Sequence, residues 1–554
     1  MSENDLRIHL IPLGGLGEIG KNMLAIRYQD TIVVIDAGLM FPEEELLGID
    51  IVIPDITYLL ENREKVKAIL LTHGHEDHVG ALPYVLKELN VPVYGSKLTL
   101  GLVEAKLKDN NLDNVKYQVV KPRERIKIDE LDIEFFRVSH SIPDSMGIAI
   151  HTPLGIILHT GDIKLDQTPV DGEIVDFSKM AELGEKGVLV MLSDSTNADR
   201  SGFTMSEKVV GNTLMELFAK CEGRIIATTF ASNVHRIQQV ISTAEKYDRK
   251  VSVVGRSMVN NVRIASELGY MSIPENILID IEDINKYPNN QIVIVTTGSQ
   301  GEPMSALTRM ATGDHRWVSI QPEDTVIISA NPIPGNEKLV AKTVDLLFKQ
   351  GAEVIYERSL GVHVSGHAAE EELKILINLI RPKYFIPVHG EYRHLKKHAK
   401  LAESLGIEKH KIFVAENGQV IELGEKGGNI AGKVPAGKVL IDGLGVGDVG
   451  NIVLRDRKQL SQDGIIIVVV TIDRGQADVI AGPDIVTRGF VYVRESEQLI
   501  EDAKQKVREA LDVCVKKNIT EWAVIKSQVR DKLGKHLFEK TGRRPMILPI
   551  IMEV

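Results

Sequence analysis

Apolar, strand-like runs in this chain end again and again on a histidine or an aspartate. "IVVID" closes on Asp36, "AILLTH" on His73, "EFFRVSH" on His140, "GIILHTGD" on Asp162, "VLVMLSD" on Asp194 and "YFIPVH" on His389. Taken singly, such residues serve as turn or capping groups. Open sheets, however, gather their sites at the carboxyl ends of strands. A fold that buries these runs in sheets must bring imidazoles and carboxylates to one edge, and few architectures accommodate that.

The densest part is "AILLTHGHEDHVGAL", which carries His73, His75, Asp77 and His78 between a buried strand and a helix. Side chains of an extended segment repeat every second residue, so His73 and His75 point the same way. Asp77 and His78 turn toward a second, adjacent position. Neutral imidazole and carboxylate are the ligands that zinc accepts at about 2 Å. One short cluster does not fill the coordination of two ions, so further ligands must come from the other strand ends. His9, His151, His159, His235, His315, His394, His398, His410 and His536 lack this context and read as ordinary surface or core histidines.

The glycines of "PLGGLGEIGKN" pose a separate question. Gly15-x-Gly17-x-x-Gly20 follows the apolar run "RIHLI", with Asp36 downstream, as in a dinucleotide-binding turn. That turn requires a helix next, so that its N-terminus meets the pyrophosphate. Here "NMLAIRYQDTIVVIDAG" follows, strand-like on both sides of a "QD" turn. The fingerprint fails, and the glycines read as a tight loop beside something that needs backbone room.

With 554 residues the chain exceeds a single core and should divide into roughly three or four domains. No apolar stretch reaches the ~20 residues of a membrane span, and the polar start "MSENDLRIHL" carries no signal-peptide pattern. Two cysteines, Cys221 and Cys514, exclude a disulfide framework or a thiolate metal site. A cytoplasmic location is the resulting expectation. The net charge of −11 argues against a basic coat for nucleic acid, so a polyanion would need a local groove or metal ions. Short β-runs dominate residues 7–194, with helices expected in "DHVGALPYVLKELN" and over 97–109. Residues 204–357 alternate helices with the buried strands "GRIIATTF", "RKVSVVG", "NQIVIVTTG", "DTVIISA" and "GAEVIYE", the pattern of a parallel sheet covered on both faces. "GEKGGNIAGKVPAGK" reads as a linker. A last unit holds the strands "GIIIVVVTID" and "GFVYV", two helices, and the closing strand "RPMILPIIMEV".

The set Asp36, His73-x-His75-x-Asp77-His78, His140 and Asp162 resembles the dinuclear motifs of the metallo-β-lactamase fold. Asp194, His367 in "HVSGH" and His389 in "PVHGEYRH" resemble the added motifs of its nucleic-acid-processing β-CASP subgroup. With "GGLGEIGKN", "FPEEELLGIDIVIPD", "SDSTNA", "FASNVHR", "TGSQGEP", "PIPGN" and "RPMILPIIMEV", the sequence is similar to the bacterial ribonuclease J family over essentially its whole length. The resemblance implies an α/β chain. A metallo-β-lactamase αββα sandwich would span 1–205 and 360–425, with an inserted β-CASP α/β domain over 206–359. A linker (426–453) would lead to a small C-terminal α/β domain (454–554) that serves oligomerisation.

It further implies that His73, His75 and His140 hold one zinc, that Asp77, His78 and His389 hold another, and that Asp162 bridges them. Asp36 would orient ligands from behind. Manganese or magnesium could stand in for zinc, and some family members bind a structural calcium near the loop that carries Asp50, which reads here as a surface turn. Asp77, Asp194 and His367 take the catalytic assignments, the last two for proton transfer or phosphate orientation at the leaving side. His363, Val364, Ser365, Gly366 and His367 would form a pocket for a 5′-monophosphate and the RNA backbone. Ser232, Asn233 and Arg236, with Ser299 and Gln300, are further phosphate-facing candidates, because strand-to-helix loops present amides to anions. The implied activity is hydrolysis of RNA by a hydroxide activated between two zinc ions, leaving 5′-phosphate and 3′-hydroxyl ends. It would run as a 5′-to-3′ exonuclease preferring 5′-monophosphates, with endonuclease cutting, in RNA maturation and mRNA decay. Single-stranded RNA is the implied partner, in a homodimer or homotetramer, with a paralogue or an RNA-degrading complex as further company and no membrane. A DNA-directed β-CASP nuclease and a non-catalytic subunit of such a complex are the alternatives.

Overall fold

The computed structural model describes residues 6–43, 45–302, 304–333, 336–357, 360–473, 479–491, 496–517, 519 and 521–553. Glu44, Pro303, Pro334 and Gly335 of the quoted motifs lie outside the described residues, as do Tyr492, Val493, Glu495 and Val554 of the expected C-terminal elements. The chain divides into two compact units, 1–41 with 51–439, and 42–50 with 440–554.

The first unit contains two sheets that share one core. The larger runs Gly427–Lys433, Gln419–Gly424, Arg7–Gly14, Met23–Tyr28, Thr31–Ile35, Val66–Leu70, Val93–Gly95, Tyr117–Val119. The smaller runs Tyr384–Val388, Val188–Asp194, Gly155–His159, Met146–Thr152, Leu131–Arg137, Arg125–Ile128. Strand alternation separates the layers. Leu131, Ile133 and Phe135 join Val33, Ile35 and Leu70 in the core between the sheets, whereas Phe136 and Val138 face the other way. There they pack with Met180 and Leu183 of helix Phe177–Lys186, and with Leu373, Leu376 and Ile377 of helix Glu370–Ile380. The outcome is the sandwich expected of the metallo-β-lactamase fold.

Between the strands Val188–Asp194 and Tyr384–Val388 the chain builds a separate five-stranded sheet. Its order is Lys250–Val254, Ile292–Thr296, Ile225–Thr228, Thr325–Ile328, Glu353–Ile355, and all its pairings are parallel. Ile225 and Ala227 enter one core while Ile226 and Ile328 enter another, so both faces are covered, as the continuous apolar runs require.

Three local expectations change. The helix expected over "DHVGALPYVLKELN" is broken into Glu76–Val79 and Leu82–Glu88, the second carrying a proline in its first turn. Residues 427–433, read as part of a linker, are the edge strand of the larger sheet, paired antiparallel with Gln419–Gly424. In the second unit, the partner of Ile465–Ile472 is Val479–Arg488, which ends before "GFVYV". Met546–Glu553 pairs on its other side, in parallel. Ile466, Val468, Val470 and Ile472 alternate into a core with Val507 and Leu511 of helix Glu497–Lys516 and Val529 and Leu533 of helix Trp522–Thr541. Among the described residues no helix is long and apolar enough to cross a membrane.

Candidate metal centre

The strand ends of the first unit converge. Asp36 follows Thr31–Ile35, His140 lies past Leu131–Arg137, and Asp162 lies past Gly155–His159. Asp194 ends Val188–Asp194, and His389 follows Tyr384–Val388. Asp36 (φ 61°) and His389 (φ 55°) both lie in the left-handed region, where a side chain is re-aimed at a conformational cost of order 1–3 kcal/mol. The loop after Val66–Leu70 and the first turn of Glu76–Val79 supply His73, His75, Asp77 and His78.

Three ligand clusters form within this edge: His73, His75, His140 and Asp162; Asp77, His78, Asp162 and His389; and Asp162, Asp194, His367 and His389. In the first, His75 Nδ1 is 3.0 Å from His73 Nε2 and 3.1 Å from His140 Nε2. In the second, Asp77 Oδ2 is 3.2 Å from His389 Nε2 and 3.6 Å from His78 Nε2. Asp162 Oδ2 stands between them, 3.6 Å from both His73 and His140, 3.3 Å from His78 and 3.8 Å from His389, each measured to Nε2.

The hydrogen bonds behind the rings decide which nitrogens face inward. His140 Nδ1 donates to Gly366 O at 2.7 Å and His78 Nδ1 donates to Asp36 Oδ2 at 2.7 Å, so in the neutral ring each Nε2 aims a lone pair at its cluster. Asp36 is itself held by Thr72, through the backbone N–H and the hydroxyl, both at 2.8 Å. His389 Nδ1 is 2.6 Å from Thr196 Oγ1, which also donates to Asp194 Oδ1 at 2.9 Å. Buried imidazole lone pairs pointed at one another and at carboxylates repel unless a cation sits among them. The residues therefore fit a pair of divalent ions, with ligand orientation fixed from behind as metal sites require.

Electrostatics divides the clusters. Burial holds the pKa of His73 and His140 well below the imidazole range and brings His75 down to about 4. Burial also acts on His78 and His389, but Asp162 and its neighbouring carboxylates override it and raise both. Asp162 and Asp77 are buried too, yet the surrounding histidines keep them ionised. His367 Nδ1 lies 2.7 Å from Asp194 Oδ2, and although burial opposes it, Asp194 raises the His367 pKa.

The other assigned residues are held by contacts of their own. Asn197 Nδ2 donates to Ser365 Oγ at 2.8 Å and to His367 O at 2.9 Å, and Thr204 Oγ1 donates to His367 O at 2.7 Å. His363 contacts Arg236 Nη1 at 2.9 Å, and Val364 is buried in the core of the five-stranded unit. Asn233 Oδ1 caps helix Val234–Lys246 by accepting from Arg236 N at 3.1 Å, with Ser232 just before it. Arg236 is not phosphate-facing: it is fully buried, with Nη2 lying 2.7 and 2.8 Å from the two carboxylate oxygens of Glu207. Gln300 is likewise turned inward, bonded to Asn331 O and Ile333 N. Asp50 is exposed, accepts from Gly443 N at 2.8 Å, and joins none of the three clusters.

The glycine loop borders a cavity of about 30 Å³ that Gly14, Gly15, Asp36, His159, Asp162 and His389 help to line. That is room for a water or two. A Cβ on Gly14 would lie 1.9 Å from Lys21 O, so the loop closes only because it lacks one. His159, set aside in the sequence, is half-buried here, with desolvation bringing its pKa down to about 4 and Gly161 N donating to its Nδ1.

Sequence comparison supports the same assignment. Family models match as the metallo-beta-lactamase superfamily over 16–189, the ribonuclease J beta-CASP domain over 222–347, a Zn-dependent metallo-hydrolase RNA specificity domain over 353–414 and the ribonuclease J C-terminal domain over 452–554. Ribonuclease J2 of Bacillus subtilis (strain 168) is 49% identical over 553 residues, covering 100% of both chains. The chain belongs to the ribonuclease J family. Ribonuclease J 2 of Staphylococcus aureus (strain MRSA252) is 47% identical over 548 residues, 99% of this chain and 98% of that one. A crystal structure of a protein of unknown function from Enterococcus faecalis V583 superimposes with a TM-score of 0.55 at 18% identity. It covers 76% of this chain and 100% of that chain, a likeness of fold alone. Membership in the ribonuclease J family makes this chain a metal-dependent ribonuclease, a hydrolase with metallo-β-lactamase, β-CASP and C-terminal domains.

Proposed function

We propose that the chain hydrolyses RNA phosphodiesters at a dinuclear zinc centre, leaving 5′-phosphate and 3′-hydroxyl ends. It acts as a 5′-to-3′ exonuclease that prefers 5′-monophosphates and also cuts internally. The observation that carries this reading is the position of Asp162 Oδ2, within 3.3–3.8 Å of Nε2 of His73, His78, His140 and His389. His73, His75 and His140 would hold one ion, Asp77, His78 and His389 the other, with Asp162 placed to serve both. The imidazole-rich donor set favours zinc over magnesium or calcium. Two bound ions supply a water ionised near neutral pH and offset the charge on the non-bridging phosphate oxygens.

The chain's own groups do the rest. His367, its pKa raised by the adjacent Asp194 carboxylate, gives its proton to the departing 3′-oxygen. Ser365 and Gly366, tethered through Asn197, orient the phosphate. Asp36 and Thr196 keep His78 and His389 aimed. Residues 454–554 make subunit contacts, a reading supported by Val486, Leu548 and Ile550, exposed at 43%, 47% and 40% on the closing sheet.

A 5′-labelled, 5′-monophosphorylated RNA tests the proposal. Mononucleotide release, slowed on the triphosphate and on single-stranded DNA, and abolished in His75→Ala and Asp162→Ala together with zinc content, is the expected result. Cleavage that survives either substitution overturns it, and faster cutting of DNA makes the enzyme a deoxyribonuclease.

A further inference from the structure

Arg236 belongs to no ligand cluster, yet it is fully buried, with both terminal nitrogens bonded and Nε left without a hydrogen-bond partner among the described residues. Its Nη2 meets both oxygens of Glu207, the first residue of helix Glu207–Lys220. Its Nη1 donates to Ser329 O at 2.8 Å and Ser329 Oγ at 3.1 Å, and lies 2.9 Å from His363 Nδ1. Ser329 Oγ in turn donates to Val362 O at 2.6 Å. One guanidinium thus ties two helix starts and the end of strand Thr325–Ile328 to the segment that leads into "HVSGH".

A guanidinium only donates. The contact with His363 Nδ1 therefore requires a lone pair there, which puts the ring's proton on Nε2, away from Arg236. Lysine could not reproduce this, because Arg236 reaches Glu207 through Nη2 and Ser329 and His363 through Nη1, and a single ammonium nitrogen cannot stand at both places.

We infer that Arg236, set by Glu207, is a positioning residue for RNA binding. It fixes His363 as its Nε2–H tautomer and holds the backbone at Val362, so that residues 363–367 meet an RNA phosphate without reorganising. This rests on the reading of residues 363–367 as the phosphate-binding segment.

The test uses the full-length, metal-loaded protein. In wild type labelled with ¹⁵N-histidine, the His363 resonances, identified by their loss in His363→Asn, show an unprotonated Nδ1 and a protonated Nε2. A protonated Nδ1 overturns the inference without any functional assay. The double variant Glu207→Gln/Arg236→Gln removes the ion pair without stranding a buried charge. It is expected to raise KM for 5′-monophosphorylated RNA about tenfold with kcat within about threefold, the signature of lost ground-state binding. Arg236→Lys, which keeps the charge opposite Glu207, should not restore KM. Ser365→Ala separates the two levels. If it raises KM and the double variant does not, Arg236 has no positioning role. If it leaves KM unchanged, residues 363–367 do not bind the phosphate and the underlying reading falls.

Discussion

The two halves of the proposed dinuclear centre are built alike and differ in charge. Each takes two side chains from the short segment 73–78 and one from a distant strand end, His140 for the first half and His389 for the second. The first is all imidazole apart from the shared Asp162, and burial keeps its rings neutral. The second adds Asp77, and its histidines are drawn toward the charged form by the carboxylates around them. The difference teaches that one half is a nitrogen-rich site and the other a mixed nitrogen and oxygen site, with Asp162 as the only side chain among the described residues common to both.

That division can be broken in graded steps. Asp162→Ala removes the shared ligand, so both ions should be lost and RNA cleavage should fall by about 10³-fold or more, read by metal analysis and single-turnover kinetics. Next come His140→Ala and His389→Ala, each expected to release one ion and keep the other. If both variants lose the same ion, the two halves are not independent. A smaller effect comes from the residues behind the ligands, for which a loss of about 10- to 100-fold in metal affinity is expected. Thr196→Val frees His389 and should weaken the second half alone. Gly366→Ala puts a Cβ 2.6 Å from His140 Cε1 and should weaken the first. Smaller still is metal choice: oxygen donors suit manganese better than imidazoles do. Titrating manganese into the zinc-loaded protein should replace the ion at Asp77 first, and His389→Ala should abolish the manganese signal that appears earliest. Early replacement at the His140 side would remove the distinction.

Much of this site was legible because strands deliver their last residue to an edge whatever the rest of the chain does. That rule found Asp36, His140, Asp162, Asp194 and His389 from pattern alone, and the structure gathers them. It missed what backbone geometry supplies. Gly366 holds His140 through a carbonyl, and Thr196 reaches His389 only because two distant strands pair, so neither bears a sequence signal. His159, the last residue of its strand, was passed over because the run "GIILHTGD" was read on to Asp162. Arg236 was misjudged for another reason: an arginine in the first turn of a helix looks exposed, and Glu207 comes to it only through packing of the helices. In the fold, the parallel sheet was readable from its apolar runs. The edge strand Gly427–Lys433 was not, since it is mostly exposed and shows no alternation, leaving glycine and lysine to suggest a linker.

The comparison also needs a position that stabilises the sandwich without reaching either half. Asp176 caps helix Phe177–Lys186 by accepting from Lys179 N at 3.1 Å and pairs with Arg123 Nε and Nη2, both at 2.7 Å. The hydrogen bond from Arg123 is the chief reason its pKa falls to about 2. A carboxylate in an unfolded chain titrates near about 3.9, so the folded form holds its proton less tightly. Its contribution is then complete above about pH 4 and is lost as pH falls toward about 2. Asp176→Asn keeps a capping oxygen but removes the charge that faces the half-exposed Arg123, so it should destabilise by about 0.5 kcal/mol at pH 7, with the gap to wild type closing in acid. Metal content and RNA cleavage should not change, because Asp176 belongs to none of the three clusters. If cleavage fell while both ions stayed bound, catalysis would depend on the helical layer as well as on the strand ends.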